Sequence, residues 1–150
     1  MKPGKVRSIA LCVFRKEDRI LVQEGYDPIK QQVFYRPLGG TIEFGERGQE
    51  TVIRELLEEI GQEVDHVRYL GTLENIFIYN GQMGHEIVLV YDGRFSDPEV
   101  YTWPEIHGLE NGEKPLKVVW INLAGYRSQP GAKLAPLYPT GLVELLSETP

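Results

Sequence analysis

The stretch GGTIEFGERGQETVIRELLEEIGQEV, residues 39–64, decides how the rest of the chain is read. It crowds glutamates around two arginines, Arg47 and Arg54, and packs Glu55, Glu58 and Glu59 just before a glycine. Like charges three or four residues apart on a helix each cost roughly 0.2–0.5 kcal/mol. Carboxylates in the last helical turn also face the negative end of the helix dipole. Stability alone does not select such a pattern. The period is nevertheless helical from about residue 47 to residue 60, and Gly61 supplies the C-terminal stop.

At about 100° per residue, with Glu55 set at 0°, Glu58 falls near 300° and Glu59 near 40°, so the three carboxylates share one face. Val52, Ile53, Leu56, Leu57 and Ile60 fall on the other side and form the expected core stripe, leaving the carboxylates turned away from the buried side. A solvated acidic face is the bland alternative, but such a face normally intersperses lysines, and none stands here. The cluster also follows a Gly39-Gly40 turn that lets backbone approach closely, with Glu46 in the loop between. Hard oxygen donors gathered in this way suit Mg²⁺, with Mn²⁺ as a substitute.

Outward from this segment, the runs VRSIALCVF and RILVQEG flank the charged turn RKED and read as a hairpin. QQVFYRPL reads as a third strand leading into Gly39-Gly40. HVRYLGTLENIFIYN and HEIVLVYDGRF read as strands around the turn NGQMG. The segment SDPEVYTWPEIHGLENGEKP, rich in Pro and Gly, is expected to be mostly loop, LKVVWINL a last strand and PTGLVELLSE a short helix. Strands mixed with two helices indicate an α/β fold with a mixed β-sheet between helices. With 150 residues and no linker or repeat, residues 1–150 read as a single domain with a full core.

Composition narrows the class. The content, 41% hydrophobic and 25% charged, is that of a soluble globular protein, and no run approaches a membrane span of about 18 residues. The N-terminal apolar run lacks a small-residue cleavage site and does not read as a signal peptide. A net charge of −6 argues against duplex nucleic acid as a partner. It also means that a phosphate-bearing substrate needs local cations or a metal. The lone cysteine, Cys12, lies in an apolar run and reads as a buried structural thiol, which fits a cytoplasmic protein.

Gly40, Glu46, Arg54, Glu55, Glu58, Glu59 and Gly61, at these spacings, resemble the signature box of the Nudix hydrolases. Two positions depart from the box: Gln62 stands where an aliphatic residue is usual, and Pro37-Leu38-Gly39-Gly40 replaces the commoner Leu-Pro-Gly-Gly. Both concern packing and turn shape. The resemblance implies an α/β/α sandwich and divalent-metal-dependent hydrolysis of a pyrophosphate in a nucleoside diphosphate-linked substrate. It implies that Glu55, Glu58 and Glu59 bind metal with the Gly39 carbonyl, that Arg54 holds Glu55, and that Gly40, Glu46 and Gly61 support the junction of loop and helix. The general base is left open between a box glutamate and a later carboxylate, for which Glu86 in GHEIVLV is the nearest candidate. A rival from another class is a catalytically silent nucleotide-binding module of this fold. Such a module is free to lose box glutamates, and this chain has lost none.

Substrate selectivity lies outside the box. Arg36, just before the Pro37–Gly40 turn, is placed to reach a substrate phosphate, with a surface ion pair as the alternative. The proline of ADP-ribose enzymes is absent, with Ile78 in its place, and so is the Ser-Gln-Pro-Trp run of NADH enzymes; Tyr79 resembles the tyrosine of dinucleoside polyphosphate enzymes. A nucleoside triphosphate or nucleotide sugar also stays open. In the alternating strand ENIFIYN, Phe77 and Tyr79 share one face, so Tyr79 reads either as a nucleobase platform or as sheet packing. His66, His85 and His107 have no metal-ligand spacing, and Trp103 and Trp120 read as anchors. The expected partner is a small-molecule nucleotide, with neither membrane nor duplex nucleic acid; a homodimer stays open.

Overall fold

β1 (Val6–Val13) is apolar and buried on both faces from Ile9 onward, the pattern of a strand covered on two sides. In the computed structural model, which describes residues 4–128 and 134–150, it runs antiparallel to β5 (Leu38–Thr41) and parallel to β7 (Gln82–Phe95). β6 (Val64–Tyr79) pairs with β7, giving a mixed sheet in the order β5-β1-β7-β6. Alternation along β1 sends Ala10 and Cys12 one way, into a core with Leu38 and with Val52 and Leu56 of helix α1 (Gly48–Ile60). Ile9, Leu11 and Val13 go the other way and meet Val88, Val90 and, from the C-terminal helix (Leu142–Glu148), Leu142 and Leu146. Helices on both faces of a mixed sheet make the α/β/α arrangement. Full burial of a Val or Leu side chain is worth about 1.5–3 kcal/mol, so Val52 and Leu56 alone anchor α1 firmly.

The fold holds a second, antiparallel sheet that the strand reading does not contain. β2 (Arg15–Lys16) and β4 (Gln32–Arg36) pair with one edge of β3 (Arg19–Asp27) at opposite ends, and β9 (Lys114–Asn122) pairs with its other edge. β8 (Glu105–Glu110) closes the sheet against β9. The RKED hairpin therefore joins β2 to β3, while β1 belongs to the other sheet. A run that needs cover on both faces goes to the middle of one sheet, and the charged Arg15-Lys16 pair tolerates only an edge. At the crossing, Phe14 stacks on Phe95 with ring centroids 3.9 Å apart.

The segment expected to be mostly loop is more ordered than its composition suggests. It carries a 3₁₀ turn (Pro98–Thr102) and the β8–β9 hairpin, whose turn residues Asn111 and Gly112 have φ of 54° and 72°. Pro104 precedes β8 and Pro115 sits at the start of β9, positions where a missing N–H is tolerated. The turn between β6 and β7 is tighter than read: Tyr79 pairs with Gln82 around Asn80-Gly81 alone, both at positive φ. A short helix, α2 (Ala124–Ser128), was not expected, and Leu142–Glu148 is accordingly α3. No described helix is long and apolar enough to cross a membrane.

Candidate functional site

α1 opens at Arg47, whose N–H donates to the Glu50 side chain, and closes at Gly61, which takes φ 68° and donates its N–H to the Leu57 carbonyl. Its buried face differs from the stripe read on the wheel. Glu59 is only 5% exposed and lies beside Thr51, Val52 and Leu56, whereas Ile53 and Leu57 are 39% and 53% exposed. The cause is what stands opposite the helix. Gly39 and Gly40 of β5 have no side chains to fill the gap, and a Cβ on Gly40 would run into the Glu55 carboxylate. On the other flank a Cβ on Gly108 of β8 would meet the Glu59 backbone carbonyl. Gly40 and Gly108 therefore let the Glu55 and Glu59 side of the helix inward, so these two carboxylates do not point away from the buried side, while Glu58 stays exposed.

Arg54 organises the cluster. Its Nε and Nη2 donate to Glu46 at 2.8 and 3.0 Å in a bidentate pair, and its Nη1 reaches Glu55 at 2.9 Å and Glu58 at 3.3 Å. Nη2 also donates to the Thr41 carbonyl, tying the helix to the end of β5. Glu46 accepts further bonds from the Thr51 hydroxyl and the Glu43 N–H, so the loop is stitched to the first turns of α1. The Arg54 hydrogen bonds hold the Glu46 carboxyl down at about 2, and the same contacts raise the Arg54 pKa.

Glu59 behaves differently. Burial, reinforced by the negative charge of Glu55, pushes its carboxyl up to about 8 against the opposing pull of Arg36 and the Gly39 N–H. Its Oε1 has no hydrogen-bond partner. Glu55 is also raised, first by burial, with Arg54 opposing. A buried carboxylate oxygen without a partner is costly, and a cation relieves it. Among the described residues no three His, Cys, Asp or Glu side chains already converge as a metal site. The donors are nonetheless of the right kind: hard oxygens, one of them orphaned, gathered along a glycine cradle. His66, His85 and His107 stay apart from this cluster, with His66 on Asp65 and His107 beside Glu105.

A cavity of about 440 Å³ opens between the two sheets, with Arg36 and Glu110, whose charges act on Glu59, in its lining. Arg36 lines it, and so do Glu86 and Tyr79 from the first sheet. Glu86 is 1% exposed and lies 3.8 Å from the Arg36 guanidinium. Tyr79 is half-buried, its ring edge-on to Phe34 at 5.7 Å, and Phe34 makes a like contact with Tyr138. Phe77, in phase with Tyr79, completes an aromatic wall. The structure thus joins Arg36, Glu86 and Tyr79 in one cavity, and Arg36 couples it to Glu59 of the carboxylate helix. The sequence reading missed Arg7, Gln23, Phe34 and Tyr138, which line the same cavity. For Arg7 a signal was present: it stands in phase with Ile9, Leu11 and Val13, at a position that alternation assigns to the core.

The sequence matches the family described as the NUDIX domain over residues 4–135. Among solved structures, a MutT NUDIX hydrolase from Burkholderia pseudomallei is similar with a TM-score of 0.64 at 21% identity, over 95% of this chain and 98% of that one. A NUDIX hydrolase from Nitrosomonas europaea is similar with a TM-score of 0.60 at 18% identity, over 96% and 88% of the two chains. The E. coli ORF135 protein is similar with a TM-score of 0.56 at 18% identity, over 96% and 90%. At these identities the likeness is one of fold. No curated protein matches the sequence.

Proposed function

The chain belongs to the Nudix family as a Nudix-type pyrophosphohydrolase, and on that premise we propose that it hydrolyses a nucleoside diphosphate-linked substrate at the junction of α1 and the inter-sheet cavity. One observation carries the reading: the buried Oε1 of Glu59 has no partner, and Arg36, whose charge acts on Glu59, lines a cavity walled by aromatic rings. Glu55, Glu58, Glu59 and the Gly39 carbonyl would hold Mg²⁺ or Mn²⁺. Bound there, the metal would neutralise phosphate charge and lower the pKa of an attacking water.

The chain's own residues supply the rest. Arg54, fixed by Glu46, holds Glu55 and Glu58 against mutual repulsion. Gly40 leaves room for the Glu55 carboxylate against the β5 backbone. Arg36 stands between Glu59 and Glu86, where its fork can bind a phosphate reaching from the cavity toward the helix. Tyr79 and Phe34 offer ring surface to a nucleobase. The box glutamates, Glu86 and Glu110 are carboxylates in reach of this junction, and substitution by glutamine separates their roles.

The deciding experiment is a panel with Mg²⁺: dinucleoside polyphosphates, nucleoside triphosphates, nucleotide sugars and ADP-ribose, scored by release of phosphate, pyrophosphate or mononucleotide. Turnover of at least one of them is expected. A protein that binds members of the panel but cleaves none is a sensor and not a hydrolase.

A further inference from the structure

The inner face of the first sheet changes character at one end. Ile9, Leu11 and Val13 of β1 are buried on it, and Arg7 stands two positions earlier in the same phase. Val88 and Val90 of β7 share that face, and Glu86 precedes them in phase. The parallel register sets Arg7 directly opposite Glu86. A charged pair thus occupies positions that alternation assigns to the core. The Oε2 atom of Glu86 lies 3.4 Å from Nη1 of Arg7 and 3.8 Å from Nη1 of Arg36. Both contacts fall on one oxygen of a carboxylate turned toward the two guanidiniums. Thr41 Oγ1 fixes Arg7 from another side, accepting from its Nη2 at 2.9 Å.

Stability does not account for this arrangement, because a buried ion pair is commonly matched or bettered by apolar side chains of the same volume. Charge does distinguish it. Within this trio two guanidiniums against one carboxylate leave one surplus positive charge, while the full cavity lining sets Arg7, Lys30, Arg36 and Lys114 against Glu24, Asp27, Glu86 and Glu110. A guanidinium presents a planar fork of donors that matches a phosphate, and held from behind it loses little freedom on binding one.

We propose that Arg7 and Arg36 form a phosphate-binding pair for the substrate phosphate on the cavity side of the carboxylate cluster, and that buried Glu86 is their positioning residue. The assignment rests on the pyrophosphohydrolase reading and extends it, since it gives Glu86 a role in binding in place of proton transfer.

The test uses the whole protein, the substrate that the panel identifies, and methylenediphosphonate as a non-hydrolysable diphosphate probe. Arg7→Gln should raise both KM and the Kd for the probe about tenfold, as expected for losing one charge-assisted contact, and leave kcat within about threefold. Glu86→Gln should raise both about fivefold, and in the Arg7→Gln background it should add less than about twofold, because the residues act as one unit. A fall in kcat of about a hundredfold in Glu86→Gln, with KM and probe affinity unchanged, makes Glu86 the proton acceptor and overturns the proposal. If Glu86→Gln fails to fold, Arg7→Gln decides alone, since Arg7 is 34% exposed at its side chain and its loss is tolerable. Calorimetric binding of methylenediphosphonate also reads the pair apart from turnover. Weakened binding in Arg7→Gln supports it even where no substrate is cleaved, and equal binding overturns it even in an active enzyme.

Discussion

Glu59→Gln tests the centre of the site through stability as well as activity. In the metal-free protein the Glu59 carboxyl is raised from 4.5 to about 8. The folded state therefore binds a proton that the unfolded state releases, and stability falls as pH rises from about 4.5 through about 8. At about 1.36 kcal/mol per pKa unit, the cost at mildly alkaline pH reaches about 4 kcal/mol as an upper figure, and water penetration reduces it to about half. Glutamine keeps the volume and carries no charge, so the variant should escape this cost. For a chain of this size each kcal/mol moves Tm by roughly 2–4 °C, and the metal-free variant should melt about 4–8 °C above wild type at about pH 8. At about pH 5, only half a unit above the unfolded-state value of 4.5, most of this cost has yet to develop, and the two should agree within about 2 °C. Differential scanning calorimetry in EDTA at the two pH values measures both differences. Equal melting temperatures at the higher pH, or a less stable variant there, refute the claim that Glu59 is a strained, uncompensated carboxylate. The same variant should lose about a hundredfold or more in kcat, because several kcal/mol of metal-borne charge stabilisation act through this oxygen at about 1.36 kcal/mol per tenfold.

Three further outcomes follow from the geometry. Turnover should stop in excess EDTA and return with Mg²⁺ or Mn²⁺; full activity in the chelator removes the metal from the reading. Gly40→Ala should fold, since its added Cβ meets only the flexible end of Glu55, but should lower kcat by about tenfold to a hundredfold through a misplaced carboxylate; circular dichroism with steady-state kinetics checks both halves, and unchanged kcat shows that Glu55 need not lie against β5. Tyr79→Ala should raise KM about fivefold or more, in line with base stacking of roughly 1–3 kcal/mol, and leave kcat near wild type. An unchanged KM with a lowered Tm makes Tyr79 a packing residue of the Phe34 cluster.

What could be read from the sequence is what local pattern encodes. The limits of α1 were legible because a periodic run ends at Gly61, and only glycine takes φ 68° without strain. The mixed sheet was legible from the unbroken apolar runs of β1 and β7. The second sheet was not: β3, β4 and β9 were read as strands, but the β3–β9 pairing joins residues about a hundred positions apart, and Pro104 and Pro115 masked β8. The buried face of α1 was misread for a different reason. Its hydrophobic residues favour the side of Ile53 and Leu57, yet what a helix buries depends on what stands opposite, and Gly40 and Gly108 on two other strands made room for Glu55 and Glu59.

The same distinction explains the cavity. Its wall brings Arg7 against Glu86 across 79 residues and Phe34 against Tyr138, pairings no local window contains. Their phase, however, was visible. Arg7 belongs with Ile9, Leu11 and Val13, and Glu86 with Val88 and Val90, so each is a charge placed where alternation demands an apolar side chain. Burying the Glu86 charge without a partner is costly, and the register that sets Arg7 opposite it supplies one. The sheet therefore stops being core and becomes wall at the point where both runs turn polar. Arg36, whose charge acts on Glu59 and whose guanidinium faces Glu86, links that wall to the oxygen that has no partner.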